Sequence, residues 1–240
     1  YTYEGLKQGV KYSVKIVAEN ANKLTSEVVE EQTTGTVIDL KEGDLEFTSE
    51  PSTWTNTDVN VTVKENIDTK GYALQTSKNG TNWSSTTTQT YSSNGIIYAR
   101  LWDGTNFGGP ATGNVKNIDK VAPTVSTALG PTSMSINSVS LSVGITDENS
   151  GLGKVEWYYG TTNNPTTLAG TTLVTAMNTT ATGPTTSQIQ TYTVTGLASG
   201  TTYYFKAVAY DVAGNQVSSS IISTKTIVNS KEIGDEVTVG

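Results

Sequence analysis

The sequence predicts an all-β fold built from tandem β-sandwiches, and three observations carry the prediction. First, the 240 residues are 35% hydrophobic and only 15% charged, with Thr, Ser, Asn and Gly filling the difference. That mixture suits short strands with polar outer faces and lacks the Glu, Lys, Leu and Ala bias of helical chains. Second, apolar residues recur with a period of two, as in Val139, Leu141, Val143 and Ile145, the mark of half-buried strands. Third, one strand-and-turn phrase occurs twice, as YTYEGLKQGVKYSVKIVA at 1–18 and YTVTGLASGTTYYFKAVA at 192–209. Tyr1 matches Tyr192, Gly5 matches Gly196, Leu6 matches Leu197, Gly9 matches Gly200, Tyr12 matches Tyr203, Lys15 matches Lys206 and Ala18 matches Ala209. Strand-like sequence over 124–191 completes a sandwich for the second copy. Nothing equivalent precedes the first, so the expectation is an excerpt from a longer array.

The elements follow in order. Tyr1 to Glu4 reads as a strand leading into a glycine turn. Lys11 to Ala18 alternates Tyr12, Val14, Ile16 and Ala18 on one face against Lys11, Ser13 and Lys15 on the other. Leu24 to Thr33 gives a weaker third strand, and three strands bury too little to stand alone. Next, Val59, Val61 and Val63 alternate with polar residues. Gly71 to Ser77 is a strand followed by Asn79-Gly80, a hairpin-turn signal. Ile96 to Trp102 is a strand closed by Asp103-Gly104, and Ala111 to Ile118 ends this stretch. Asp119-Lys120-Val121-Ala122-Pro123 is a linker, whose proline blocks helix and favours an extended entry. Beyond it, Val139 to Ile145 leads into the turn cluster Asp147-Glu148-Asn149-Ser150-Gly151. Val155, Trp157 and Tyr159 form the next inward face. Residues 163–183 are Thr-rich without a clear period. Tyr192 to Thr195, Tyr203 to Tyr210 and Val217 to Thr226 supply the last three strands, and 228–240 read as a further module or a tail.

The phrase Leu197-x-x-Gly200-x-x-Tyr203-x-Phe205-x-Ala207-x-Ala209 resembles the E–F region of fibronectin type III domains. The resemblance puts Trp157 at the core tryptophan of strand C. It puts Tyr203 at the tyrosine corner, whose hydroxyl ties the E–F crossover to backbone. Leu6, Gly9 and Tyr12 repeat the pattern. The phrases from Ser77 to Trp83 and from Ile97 to Gly104 are similar to Ig-like repeats of bacterial surface proteins. Those from Ile118 to Pro123 and from Tyr210 to Asn215 are similar to tandem adhesin repeats. The resemblance implies an elongated array of immunoglobulin-like and fibronectin type III-like β-sandwiches. Residues 1–38 would be the C-terminal part of a fibronectin type III-like domain, 39–120 a bacterial Ig-like domain, 121–227 a fibronectin type III-like domain, and 228–240 the start of a further module or a tail. It further implies extracellular stalks, adhesins or accessory modules of large secreted enzymes.

Composition narrows the chemistry. The net charge of −7 and pI near 4.6 disfavour nucleic acid and anionic membranes as partners. No run approaches the ~20 apolar residues of a membrane span. The chain has no cysteine and no histidine, which removes the Ser-His-Asp and Cys-His nucleophiles and makes zinc and iron sites improbable. The leading candidate site is calcium. In a sandwich spanning 124–227, the B–C loop (Asp147 to Gly153) and the F–G loop (Asp211 to Asn215) share one end, where the linker enters at Asp119. Asp119, Asp147 and Asp211 would converge there, with Glu148 and Asn149 nearby, and loop carbonyls and water would complete six to eight oxygens at ~2.3–2.6 Å. The competing reading is plain turn chemistry, since Asp, Asn and Gly are default turn formers. A weaker cluster of Asp39, Glu65, Asp68 and Asp103 is a second calcium candidate.

Trp102 and Phe107 flank the polar turn Asp103-Gly104-Thr105-Asn106. Exposed, they would form a sugar-stacking surface. Packed on the core or a neighbour, they would be structural, the more frequent fate of large aromatics. The expected function is a non-catalytic stalk or spacer in a secreted or cell-surface protein, presenting a functional head and stiffened by calcium at domain junctions. Its partners would be neighbouring domains of the same long chain. The alternatives are an adhesion module binding a host glycan or protein through a domain tip, a phage or appendage fibre segment, and an accessory region of a glycoside hydrolase.

Overall fold

A computed structural model describes residues 2–6, 11–34, 38–174 and 185–229. The expectations for Tyr1, Gly9, residues 175–183 and residues 230–240 lie outside the described residues. The chain divides into two compact units, 1–49, 60–90 and 95–114 in one, and 50–59, 91–94 and 115–240 in the other.

Strands β1 (Lys11–Glu19) and β2 (Thr25–Thr33) form an antiparallel ribbon. Asn20 pins its turn, its side-chain oxygen accepting the amides of Asn22 at 2.9 Å and Leu24 at 3.0 Å. Ion pairs Lys11–Glu31 and Lys15–Glu27 line one face. The opposite face carries Tyr12, Val14 and Ile16. The strand expected from Tyr1 to Glu4 is not seen, because residues 2–4 have no ladder partner among the described residues. The matching Tyr192–Thr195 are a strand because they pair with Leu141–Ser138. The same phrase becomes a strand only where a neighbour satisfies its backbone.

Six strands follow: β3 (Leu45–Glu50), β4 (Val59–Glu65), β5 (Ala73–Ser77), β6 (Thr88–Tyr91), β7 (Gly95–Trp102) and β8 (Ala111–Val115). They form two sheets ordered β3-β4-β6 and β5-β7-β8, the interleaved A-B-E and C-F-G connectivity of an immunoglobulin-like sandwich. Val59, Val61 and Val63 of β4 and Ile97, Ala99 and Leu101 of β7 are all buried, as their period of two requires.

The remaining strands are β9 (Thr124–Met134), β10 (Ser138–Asp147), β11 (Leu152–Gly160), β12 (Thr167–Leu173), β13 (Thr185–Thr195), β14 (Thr202–Asp211), β15 (Gln216–Ser218) and β16 (Ile222–Lys225). One sheet runs β13-β10-β9. The other runs β12-β11-β14-β15, with β16 also on β14. This is the E-B-A over C′-C-F-G arrangement of a fibronectin type III-like sandwich. The Thr-rich stretch conceals β12, and the expected strand at 217–226 is interrupted between β15 and β16. The chain is thus a tandem of all-β sandwiches.

Trp157 is fully buried at the centre of this second sandwich. Its ring stacks on Tyr192 of the opposite sheet, centroids 5.9 Å apart, and its indole N–H donates to Thr172 Oγ1 at 2.9 Å. Gly170 makes room for Tyr192, whose hydroxyl donates to the Ala169 carbonyl at 2.8 Å; a Cβ at 170 would collide with that hydroxyl. Tyr203 makes the expected corner, its hydroxyl accepting the Ala198 amide at 3.0 Å. Tyr203→Phe is therefore expected to cost about 1 kcal/mol in urea unfolding. A loss within about 0.5 kcal/mol would mean that the hydroxyl contributes no more than an ordinary surface group.

Candidate metal centre

The sandwich architecture decides where the three predicted carboxylates go. Asp147 ends β10 in one sheet, and Asp211 ends β14 in the other. The loops after them are laced together. Val212 N–H donates to the Gly151 carbonyl at 2.8 Å, and Ala213 N–H donates to Ser150 Oγ at 3.3 Å. Gly151 adopts a φ of 82°, open mainly to glycine. This lets the loop fold back so that the amides of Asn149 and Gly151 donate to Asp147 Oδ1.

Asp119 arrives from residues 115–120, which are tied down within the same compact unit. Thr55 bridges Ile118, and the Asp119 amide donates to the Thr55 carbonyl at 2.9 Å. Asn94 clips Ile118 from both sides, donating to its carbonyl and accepting its amide, each at 2.9 Å. The Asp119 carboxylate accepts Ser150 N–H at 2.9 Å, Val121 N–H at 3.0 Å and Asn149 Nδ2 at 3.4 Å.

The three carboxylates meet. One oxygen from each lies within 4.8 Å of the other two, and the residues are 2%, 4% and 4% exposed. Neighbouring lysines are committed elsewhere, Lys120 to Asp58 and Lys154 to Glu156. Burial, above all, raises the Asp147 pKa; the Gly151 amide opposes it, and the charge of Asp119 adds to it. Burial likewise raises the Asp211 pKa, against the bonds from Asn215 and with the charges of Asp119 and Asp147. Like charges in a poorly hydrated site favour the neutral acid. Oxygens bound to one calcium at ~2.3–2.6 Å lie at most ~5 Å apart, so the spacing fits a single hard dication.

Asn215 was not singled out in the sequence, yet it closes the site. Its amide and side chain both donate to Asp211 at 2.7 Å, and its side chain also donates to the Asp119 carbonyl at 2.9 Å. The signal was its place after Asp211 in a tight Asp-x-x-Gly-Asn turn. The second acidic candidate does not assemble. Asp39 accepts the Gly109 amide at 2.8 Å, Asp68 pairs with Lys70, and Asp103 caps its own turn. Asp68 and Asp103 are spent within their own turns, and Asp39 on an amide far along the chain.

Trp102 and Phe107 face one another as a β-bridge closing the 103–106 turn. Asp103 Oδ1 accepts the amides of Asn106 at 2.6 Å and Thr105 at 2.8 Å, which hold its pKa below the ordinary carboxylate value. Trp102 is half-buried, and Phe107 is 52% exposed.

No family model and no curated protein matches this chain. Among solved structures, it is similar to a crystal structure of titin domains, at 13% identity over 91% of this chain and 75% of that one, with a TM-score of 0.44. It is also similar to the FN1–FN3 domains of chicken CNTN1, at 12% identity over 92% and 76%, with a TM-score of 0.38. A third similarity is to the chicken interferon gamma receptor alpha chain, at 9% identity over 76% and 97%, with a TM-score of 0.32. Among the described residues, no helix is long and apolar enough to cross a membrane.

Asp147→Asn isolates the charge effect, because its side-chain oxygen can still accept the Asn149 and Gly151 amides. A carboxylate with a raised folded-state pKa destabilises the fold when ionised, and that penalty fades as pH falls through the raised value. In chelator, Asp147→Asn is expected to melt above wild type at neutral pH, with the gap closing as the pH approaches the ordinary carboxylate range. An equal or lower melting temperature at neutral pH would refute charge repulsion in the cluster.

Proposed function

We propose that this chain is a non-catalytic stalk or spacer segment of a secreted or cell-surface protein. In this reading 1–38, 39–120, 121–227 and 228–240 are successive pieces of a longer array. Its partners are neighbouring sandwiches of the same chain, and its task is to hold a functional head at a distance.

One observation carries the proposal. Asp119, which precedes the second sandwich, shares a buried carboxylate cluster with the B–C and F–G loops of that sandwich. Calcium bound there cross-links the entering chain to both sheets and neutralises three like charges. Asp119 is tied through Thr55 and Ile118 to the 50–59 and 91–94 segments, so stiffness at the cluster extends along the entry. A spacer gains from that, because bending at its connections lets the head collapse back.

The absence of histidine and cysteine from all 240 residues fits a mechanical role. The candidate ligand atoms are carboxylate oxygens, the donors that hard divalent cations select.

The test is thermal melting of the whole chain with calcium and with excess chelator, alongside hydrogen exchange of the 147–153 and 211–215 amides. Calcium is expected to raise the melting temperature and slow exchange in both loops. Asp211→Ala is expected to abolish both effects. Identical melting and exchange with and without calcium would sink the calcium-stiffened spacer.

A further inference from the structure

Between Glu156 and Lys206 the sequence carries no charged residue; the 15 basic and 22 acidic side chains all lie outside 157–205. Folding gathers much of this stretch along one margin of the second sandwich. Strand β12 ends the sheet β12-β11-β14-β15, and β13 ends the sheet β13-β10-β9. The two meet where Tyr192 of β13 donates its hydroxyl to the Ala169 carbonyl of β12. Among the described residues, β12 pairs with β11 alone, and its other backbone edge has no ladder partner.

Natural edge strands are guarded by charge, proline or cover, because an open row of N–H and C=O groups templates pairing with another chain. Other edges of this protein show such guards. Strand β3 carries Glu46 and Glu50, β9 holds Pro131 at a shift in register, β16 ends on Lys225, and the Lys78 ammonium donates to the Thr90 carbonyl of β6. Strand β12 reads Thr-Leu-Ala-Gly-Thr-Thr-Leu, with no charge and no proline. It bulges at Ala169, and Gly170 to Leu173 run in regular register. Val155 and Trp157 of β11 point into the core, so Leu168 and Leu173, opposite Tyr158 and Lys154, stand on the outer face. Leu168 is 51% exposed, and Leu173, at 69%, is the most exposed large apolar side chain among the described residues.

The lack of charge selects the partner. Two copies of a chain with net charge −7 repel wherever their acidic surfaces face each other. An uncharged margin lets them approach with those surfaces held apart. Behind β12 on the outer face, Lys154 and Glu156 of β11 form an ion pair with each other, so the nearest charges cancel. Antiparallel pairing of β12 with β12 about a two-fold axis satisfies both open edges at once and closes at two copies. It sets Leu168 and Leu173 of both copies on one face of a continuous sheet, where apolar neighbours across the seam cover one another. A single peptide strand laid on the edge exposes a new open edge of its own, which pairing of two identical edges does not. We propose that the β12 edge is the surface through which two copies of this chain associate side by side. The pairing stands apart from the calcium reading and makes the spacer a paired one.

The test is sedimentation equilibrium of the whole chain in chelator, over rising protein concentration and at low and high salt. A reversible passage from monomer to dimer is expected, undiminished by salt, which screens the remaining like charges. Hydrogen exchange of the 168–173 amides is expected to be slower in the dimer than in the dilute chain. Leu173→Glu and Thr171→Lys each put a charge on the edge, opposite Lys154 and Glu156 of the same chain, so each variant keeps a favourable cross-strand pair within its own sheet. Both are expected to raise the dimer dissociation constant about tenfold or more. Thr112→Glu, exposed on β8, adds the same charge away from the edge and is expected to leave association unchanged. Should an edge variant fail to fold, the exchange pattern of the unaltered chain still decides. A monomer at every concentration, masses beyond the dimer, slowed exchange confined to other strands, undiminished association of the edge variants, or equal weakening by Thr112→Glu would each overturn the assignment.

Discussion

The second sandwich depends on Trp157 being covered from both sheets. Its ring is closed off by Tyr192 from the opposite sheet and by the β12 strand beside it, where Thr172 receives the indole N–H. An unpaired buried N–H would cost roughly 1–3 kcal/mol, so β12 contributes a partner as well as apolar area. Once the sheets are clasped at this point, the ends of β10 and β14 are set. The loops carrying Asp147 and Asp211 then have no choice but to meet.

That meeting puts a polar problem at the end of an apolar core. Three carboxylates are nearly as buried as the valines below them. Backbone amides from Asn149, Ser150, Gly151 and Asn215 solvate them. These donors soften the cost of burial without removing it, since Asp147 and Asp211 still sit above the ordinary carboxylate pKa. Each of the three also caps its own turn, as Asp103 does: Asp119 accepts the Val121 amide, Asp147 those of Asn149 and Gly151, and Asp211 that of Asn215. Beyond that turn chemistry, the three acids converge from three separated stretches of chain.

The outer sheet faces hold charged groups as well. Glu156 is satisfied by a lysine and two tyrosine hydroxyls, which lower its pKa, with the Lys154 bond the largest contribution. Arg100 has the Trp83 and Phe107 rings against its guanidinium and the Gln75 side chain as acceptor for its Nε–H.

By itself, the sequence determined the all-β class, most strand positions and the inward residues, because a period of two needs no partner to be visible. Trp157 was legible as part of an alternating inward face, whereas its core-tryptophan role and the Tyr203 corner were implied by the resemblance to fibronectin type III domains. The three aspartates were legible as turn residues at one end of an expected sandwich. Tertiary structure decided everything that rests on a neighbour distant in the chain. Residues 2–4 repeat a strand phrase yet form no ladder among the described residues, and β12 lay hidden in a Thr-rich run that pairing with β11 makes a strand. The Asp39, Glu65, Asp68 and Asp103 set looked like a second cluster, but Asp39, Asp68 and Asp103 each bond a different partner. Asn215 gained its role only when folding brought Asp119 to it. Alternation is a property of one strand, whereas a site is made by side chains from several, and no single stretch of sequence records which loops will cover it.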